Sequence, residues 1–295
     1  MKNALLLMAY GSPERKEDIM EYLTDVFGGR QPPAFSVEET ENKYKAFGYK
    51  SPSNKILDQL MERVKREIVD CEPILAFKHW KPGIGWAMEK IKEGNYDKTY
   101  VLPLFPVTNT SVQNSYIESV NKHWAERRMG GKKFSINGMT QAPSLTDFWV
   151  ESIKNELREG DFLLFTAHSL PYTEEQERKY VDILREWTSE IAKRSGAASY
   201  DLGFQSRGTY GKIWLTPSVY DILDRVKDKG FKRIVTAPIG FLYDHLEVLY
   251  DLDTLFGNKV RAAGIDYQRA KMPNDSDYMV KAIRECITEV ENVKS

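Results

Sequence analysis

Two apolar runs of this chain close in nearly the same way. Leu7-Met8-Ala9-Tyr10-Gly11-Ser12-Pro13 ends one, and Phe165-Thr166-Ala167-His168-Ser169-Leu170-Pro171 ends the other. Ala9 and Pro13 recur as Ala167 and Pro171, and the residue after the alanine is Tyr10 in one copy and His168 in the other. A tandem of two similar halves puts those two side chains at equivalent places. Both can donate an electron pair to a metal. The space between the halves is therefore the first place to expect chemistry.

Eight short runs read as buried strands: Ala4–Ala9, Pro73–His79, Thr99–Val107, Phe134–Met139, Phe162–Ala167, Tyr200–Gln205, Arg233–Ile239 and Ile265–Arg269. Leu5-Leu6-Leu7-Met8 and Phe162-Leu163-Leu164-Phe165 are continuous rather than alternating, the pattern of a parallel sheet covered on both faces. Helical spacing lies between the runs. Ile56, Leu57, Leu60, Met61, Val64 and Ile68 mark a helix over Asn54–Val69, and Val181, Leu184, Trp187 and Ile191 mark one over Tyr180–Ile191. Alternating strands and helices predict an α/β chain of two doubly wound, Rossmann-like halves with a cleft between them. Each half has a parallel sheet of about four strands. Each half also has a strand with an interior proline, Pro103 and Pro238, which belongs at a strand end because it lacks a ladder donor. The Gly130-Gly131-Lys132-Lys133 break places the halves at 1–131 and 132–275. A final helix, about 276–295, is a candidate to pack back on the first half.

In open parallel sheets, ligands bind beyond the carboxyl ends of the strands. Tyr10 and His168 are expected there, with the turns Phe105-Pro106-Val107-Thr108, Gln205-Ser206-Arg207-Gly208 and Gly240-Phe241-Leu242-Tyr243. His168 can move protons near neutral pH or ligate a metal, or it is simply a satisfied histidine in a turn. In Asp244-His245-Leu246-Glu247-Val248-Leu249-Tyr250-Asp251, Asp244 and Glu247 have the spacing of a capping box. That reading leaves Asp251 unexplained. On an α-helix, Asp244, Glu247 and Asp251 form one acidic stripe, and a stripe facing a cleft needs a cation to offset it. His245 is expected to make a structural hydrogen bond, and His123 to be exposed. Phe27–Ser53, rich in Gly and Pro and poor in period, reads as a long loop carrying Arg30, Lys43 and aromatics. It suits a flat apolar ligand with carboxylate edges, or a solvated loop with a local anchor.

The bulk composition excludes several classes. The 42 basic residues against 43 acidic ones give a formal net charge of −1, with no basic block for nucleic acid. No apolar run approaches the roughly 20 residues of a membrane span. Met1-Lys2-Asn3 leads straight into a strand-like run, so no signal peptide is expected. Cys71 and Cys286 are isolated, which argues for a reducing compartment and against a cysteine-held zinc or iron–sulfur site.

Taken together, Met8–Pro13, Thr166–Pro171, Gly203-Phe204-Gln205-Ser206-Arg207 and Pro238–Phe241 through Asp244–Asp251 resemble the ferrochelatase family over nearly the whole chain. The resemblance implies a lyase of haem biosynthesis that inserts ferrous iron into a porphyrin. It matches His168 to the family's active-site histidine and Glu247 to its facing carboxylate. A tyrosine at Tyr10, which can ligate the product iron, is the mark of members that act on coproporphyrin III. Porphyrin contacts are implied for Tyr10, Arg30, Lys43, Tyr44, Ser51 and Tyr116, and a metal path for Asp244 and Asp251. Phe27-Gly28 replaces a pair of arginines found in relatives, and Leu255 stands where some continue the acidic ladder. The expected chain is a cytoplasmic monomer with no cofactor beyond substrate iron and no iron–sulfur cluster, acting on porphyrin and ferrous iron. The alternatives are a protoporphyrin IX ferrochelatase, a sirohydrochlorin iron or cobalt chelatase, and a haem- or porphyrin-binding carrier.

Overall fold

A computed structural model describes residues 2–107, 111–171, 176–207 and 213–293. Met1, Thr108, Gly208 and the last two residues lie outside the described residues. The chain divides into two compact units. The first comprises 1–104, 112–138 and 274–295, and the second 105–111 and 139–273.

The first unit is built on β1 (Asn3–Ala9), β2 (Glu72–Phe77), β3 (Lys98–Pro103) and β4 (Lys132–Ser135). They pair in parallel in the order β2-β1-β3-β4. Leu5, Leu6, Leu7 and Met8 are all fully buried. Successive strand residues point to opposite faces, so this burial means both faces of the sheet are covered. β3 stops at Pro103 rather than running to Val107, because the proline nitrogen cannot extend the ladder. The second unit repeats the plan with β5 (Asp161–His168), β6 (Tyr200–Gln205), β7 (Arg233–Ala237) and β8 (Asp266–Arg269), ordered β6-β5-β7-β8 and again all parallel. β1 and β5 occupy the same place in their sheets, so Tyr10, just past β1, and His168, the last residue of β5, stand at topologically equivalent strand ends.

The expected boundary at 131/132 falls one strand early. Lys132–Ser135 pairs with Lys98–Val101 in the first sheet, and the division comes after Gly138. Gly130-Gly131 is the tight turn into β4 and not a linker. Gly131 has φ +76°, and a Cβ there would lie 2.4 Å from the Tyr96 carbonyl oxygen.

Helices of the first unit are α1 (Ile19–Val26), α2 (Ala34–Lys45), α3 (Ser53–Glu67), α4 (Ile84–Gly94) and α5 (Ser111–Glu126). The second unit carries α6 (Pro143–Glu156), α7 (Gln176–Ser195), α8 (Val219–Val226) and α9 (Gly257–Ala262). The last helix, α10 (Asp277–Val293), belongs to the first unit. Its buried stripe of Met279, Val280, Ile283, Cys286 and Ile287 has α-helical spacing. Arg63 ties to Asp277, Arg284 to Asp70 at 2.6 Å, and Lys98 and Tyr100 to Glu291.

α2 corrects the reading of Phe27–Ser53 as a long loop. It is polar nearly all round and buries only Tyr44, so it has no apolar stripe for periodicity to find. His123 is not the exposed residue expected. It accepts a hydrogen bond from Arg127 at 2.6 Å, and its side chain is 24% accessible.

A second correction concerns Glu247–Phe256, which forms a π-helix rather than an α-helix. The Thr254 hydroxyl and the Gly257 amide each donate to a carbonyl five residues back, Leu249 and Leu252. Val248, Leu252, Phe256 and, in α9, Val260 are all fully buried at a strict spacing of four. On an α-helix each step of four overshoots a turn by about 40°, so such a row would drift off the core. The wider turn of the i→i+5 ladder drifts the other way, and the π-helix followed by α9 offsets the two.

Candidate active site

In the second unit the chemistry gathers where β5, β6 and the π-helix begin or end. His168 is the last residue of β5. Its Nδ1–H donates to the Ser169 carbonyl at 2.6 Å, so Nε2 is the ring atom left for chemistry. Nε2 lies 3.3 Å from Oε1 of Glu247, the first residue of the π-helix, and the two side chains are 31% and 42% accessible. Burial works against a charged His168. The Glu247 carboxylate, the Ser169 carbonyl and Asp251 outweigh it, so the imidazole is held above its ordinary pKa. Tyr180, buried behind, donates to the His168 carbonyl at 3.4 Å. Burial and the Glu247 charge push its phenol well above the usual range.

The approach of these elements depends on Gly240. A Cβ there would lie 2.6 Å from Cα and Cβ of Ala167, next to His168. Only glycine permits that contact. His245 takes the structural role expected of it. Its Nδ1 accepts the Glu247 amide at 3.1 Å, its ring meets Phe241 edge-on at 4.6 Å, and burial lowers its pKa, keeping it neutral.

The acidic stripe is regrouped. Asp244 precedes the helix and is bound by Arg269 at 3.0 Å. Arg269 also grips Asp253 at 2.9 Å. Burial raises the Asp253 carboxyl in spite of that arginine. The N-cap of the helix is Leu246, with no side-chain cap bond, and not Asp244 as the capping box would have it. On the π-helix Glu247, Asp251 and Leu255 instead share a row, and Asp251 accepts from Ser206 at 2.5 Å. Ser206 stands at φ +58°, a conformation that non-glycine residues seldom adopt. Among the described residues no three His, Cys, Asp or Glu side chains gather to hold a metal.

Two positioning contacts here were not foreseen. Thr166 donates to Gln205 Oε1 at 2.7 Å, and Gln205 Nε2 donates to the Glu247 carbonyl at 2.7 Å. The signal was a threonine inside an otherwise apolar strand, since a buried hydroxyl requires a partner.

In the first unit Tyr10 follows β1. The His79 amide donates to the Tyr10 carbonyl at 2.9 Å, and the two rings meet at 4.6 Å. His79 Nδ1–H donates to Asp25 at 2.8 Å. Burial lowers its pKa despite that carboxylate, and the ring is neutral near pH 7. Gly11 has φ +96°, and a Cβ there would strike Trp80 at 2.6 Å.

The expected porphyrin contacts divide. Arg30 is exposed and donates to the Phe27 carbonyl at 3.3 Å; Lys43 pairs with Glu39 at 3.3 Å. Ser51 shares a hydrogen bond with Ser53 at 2.8 Å in the turn before α3. Tyr44 and Tyr116, both expected to touch the porphyrin, are buried. Tyr44 bonds Ser12 at 2.8 Å, and the Lys78 ammonium lies 4.8 Å over the Tyr116 ring. Which face of a helix turns inward depends on its partners, and neither segment has an apolar stripe to reveal them.

Comparison with known proteins bears on the family and the fold. A sequence model of the ferrochelatase family matches residues 2–291. A ferrochelatase of Thermoplasma acidophilum is 40% identical, over 100% of this chain and 94% of its own. A coproporphyrin III ferrochelatase of a Geobacillus species is 33% identical, covering 96% of each. Among solved structures, the sirohydrochlorin chelatase SirB of Bacillus subtilis subspecies spizizenii, in complex with cobalt, shares the fold. Its TM-score is 0.64 at 11% identity, covering 100% of this chain and 97% of that one. No helix among the described residues is long and apolar enough to cross a membrane.

Proposed function

The chain belongs to the ferrochelatase family, porphyrin metal chelatases of haem biosynthesis, and from that premise we propose that its substrate is coproporphyrin III and its product coproheme. His168 and Glu247 are the metal-handling pair in this reading, and Tyr10 is the phenol ligand to the product iron. We take it to act in the cytoplasm as a monomer with no resident cofactor. The observation that carries the reading is the His168 Nε2–Glu247 Oε1 approach of 3.3 Å, with Nδ1 already committed to Ser169.

Insertion of Fe2+ exchanges two pyrrole N–H protons for one metal ion. The pair offers two basic atoms, Nε2 and Oε1, either to take those protons or to replace water on the arriving iron. Two protein donors leave the remaining coordination positions to water and the tetrapyrrole nitrogens. Such a site holds a metal without trapping it, as a substrate metal requires. The macrocycle must also bend to present its lone pairs to one face. Remote propionate contacts can supply the roughly 1–5 kcal/mol that such distortion takes, and Arg30 and Lys43 are the basic candidates. Asp251, beside Glu247 on the π-helix, is the candidate next step of a metal path. Asp244, the other residue expected on that path, pairs with Arg269 at 3.0 Å and is the weaker candidate.

Tyr10 and the Geobacillus relative favour coproporphyrin III. The Thermoplasma relative, whose name states no porphyrin, favours neither coproporphyrin III nor protoporphyrin IX. Iron insertion measured in parallel with the two porphyrins decides between them. Preference for coproporphyrin III supports the proposal, and equal or better turnover of protoporphyrin IX overturns it. His168→Ala is expected to lose about 10²–10⁴-fold in turnover, and near-wild-type insertion by that variant removes His168 from its role.

A further inference from the structure

We infer that Gln205 is a positioning residue that fixes the separation of His168 and Glu247 through its side-chain amide. The inference rests on the assignment of those two residues as the metal-handling pair.

Gln205 ends β6 and is the register partner of His168, the last residue of β5. Its backbone carbonyl accepts the Ser169 amide at 2.8 Å, which anchors the chain just beyond His168. Its side chain reaches the other way. The Thr166 hydroxyl donates to Oε1 at 2.7 Å, and this sets the orientation of the amide. Nε2 is thereby aimed at the Glu247 carbonyl, to which it donates at 2.7 Å. Gln205 is 3% accessible and Thr166 fully buried, so water does not compete for either bond. One residue thus binds the backbone beside the imidazole and the backbone beneath the carboxylate. Loss of the amide frees the start of the π-helix relative to the end of β5. A displacement of about 1 Å at a reacting pair can cost on the order of 10²-fold in rate.

The test compares four variants with the full-length wild type. Gln205→Met keeps the approximate shape and removes both side-chain bonds. Gln205→Glu keeps an acceptor for Thr166 and sets an oxygen against the Glu247 carbonyl. Thr166→Val removes the orienting hydroxyl, and Thr166→Ser restores it. The readouts are kcat and metal KM for iron insertion, porphyrin affinity by fluorescence quenching, and Tm. Both Gln205 variants are expected to lose about ten- to a hundredfold in kcat, with porphyrin affinity within about twofold of wild type. Thr166→Val is expected to lose less, and Thr166→Ser to recover to within about twofold. Wild-type kcat in Gln205→Met and Thr166→Val, alongside an inactive His168→Ala, overturns this inference alone. Full activity in both His168→Ala and Glu247→Gln overturns the pair's assignment and this inference with it. Should Gln205→Met fail to fold, the Thr166 pair decides: equal kcat in the valine and serine variants overturns the inference, and rescue by serine alone supports it.

Discussion

His168 and His245 have opposite electrostatic fates within one short stretch of structure. Glu247 and the Ser169 carbonyl favour the charged form of His168, and its pKa is raised despite burial. A raised histidine contributes stability below its unfolded value, about 6.5, and loses it as pH rises through the folded value. His168→Gln is therefore expected to lower Tm relative to wild type more at pH 6 than at pH 9. Burial depresses His245. Its contribution is present above the unfolded value and lost as pH falls through the folded one, so it adds to acid lability. His245→Asn is expected to lessen the loss of Tm between pH 7 and pH 5, read by thermal melts across that range. Gly240→Ala is expected to destabilise by about 1–3 kcal/mol in urea unfolding, because its new methyl meets backbone rather than a movable side chain. His168 and Glu247 were both visible in the sequence as chemistry-bearing types at strand and helix ends. Gln205 was visible only as a member of a turn, since nothing local reveals which carbonyl an amide will reach.

At the scale of elements, the strands were the most legible. All eight predicted runs overlap a strand, and the central ones were plainest because a parallel sheet covered on both faces needs continuous apolar sequence there. The α3 and α7 periodicities were equally plain. α2 escaped because a helix with one buried residue carries no stripe. The π-helix escaped because DHLEVLYD reads equally well at a spacing of three to four. Only the i→i+5 bonding that accompanies the buried row of Val248, Leu252 and Phe256 shows the wider turn. That row is expected to be the element's main anchor. Leu252→Ala should cost about 2–5 kcal/mol by urea unfolding and lower turnover as well, since the same turns carry Glu247 and Asp251. Loss of stability with unchanged kcat in the folded fraction would separate the anchor from the site.

For the molecule as a whole, the C-terminal helix is the element whose placement matters most. α10 is joined to the first unit by Arg63, Asp70, Lys98 and Tyr100, and buries Val280, Ile283 and Ile287 there. A chain ending at Pro273 should leave apolar surface of the first unit uncovered. The expected results are faster amide exchange in β4 and α3, seen by hydrogen–deuterium mass spectrometry, and stronger binding of a hydrophobic dye. Unchanged exchange in both elements would show that the helix is dispensable to that core. The sequence by itself determined the tandem α/β plan, the strand ends that bear Tyr10 and His168, and the residue types able to handle a metal. Each of these depends on apolar periodicity, proline geometry or side-chain chemistry, which are local properties. The tertiary structure alone decided that Asp244 is bound by Arg269 while Glu247 meets His168, that Tyr44 and Tyr116 are buried, and that β4 belongs to the first sheet. Those outcomes are set by which partners compete for a charge, a face or a ladder edge, and the partners come from distant parts of the chain.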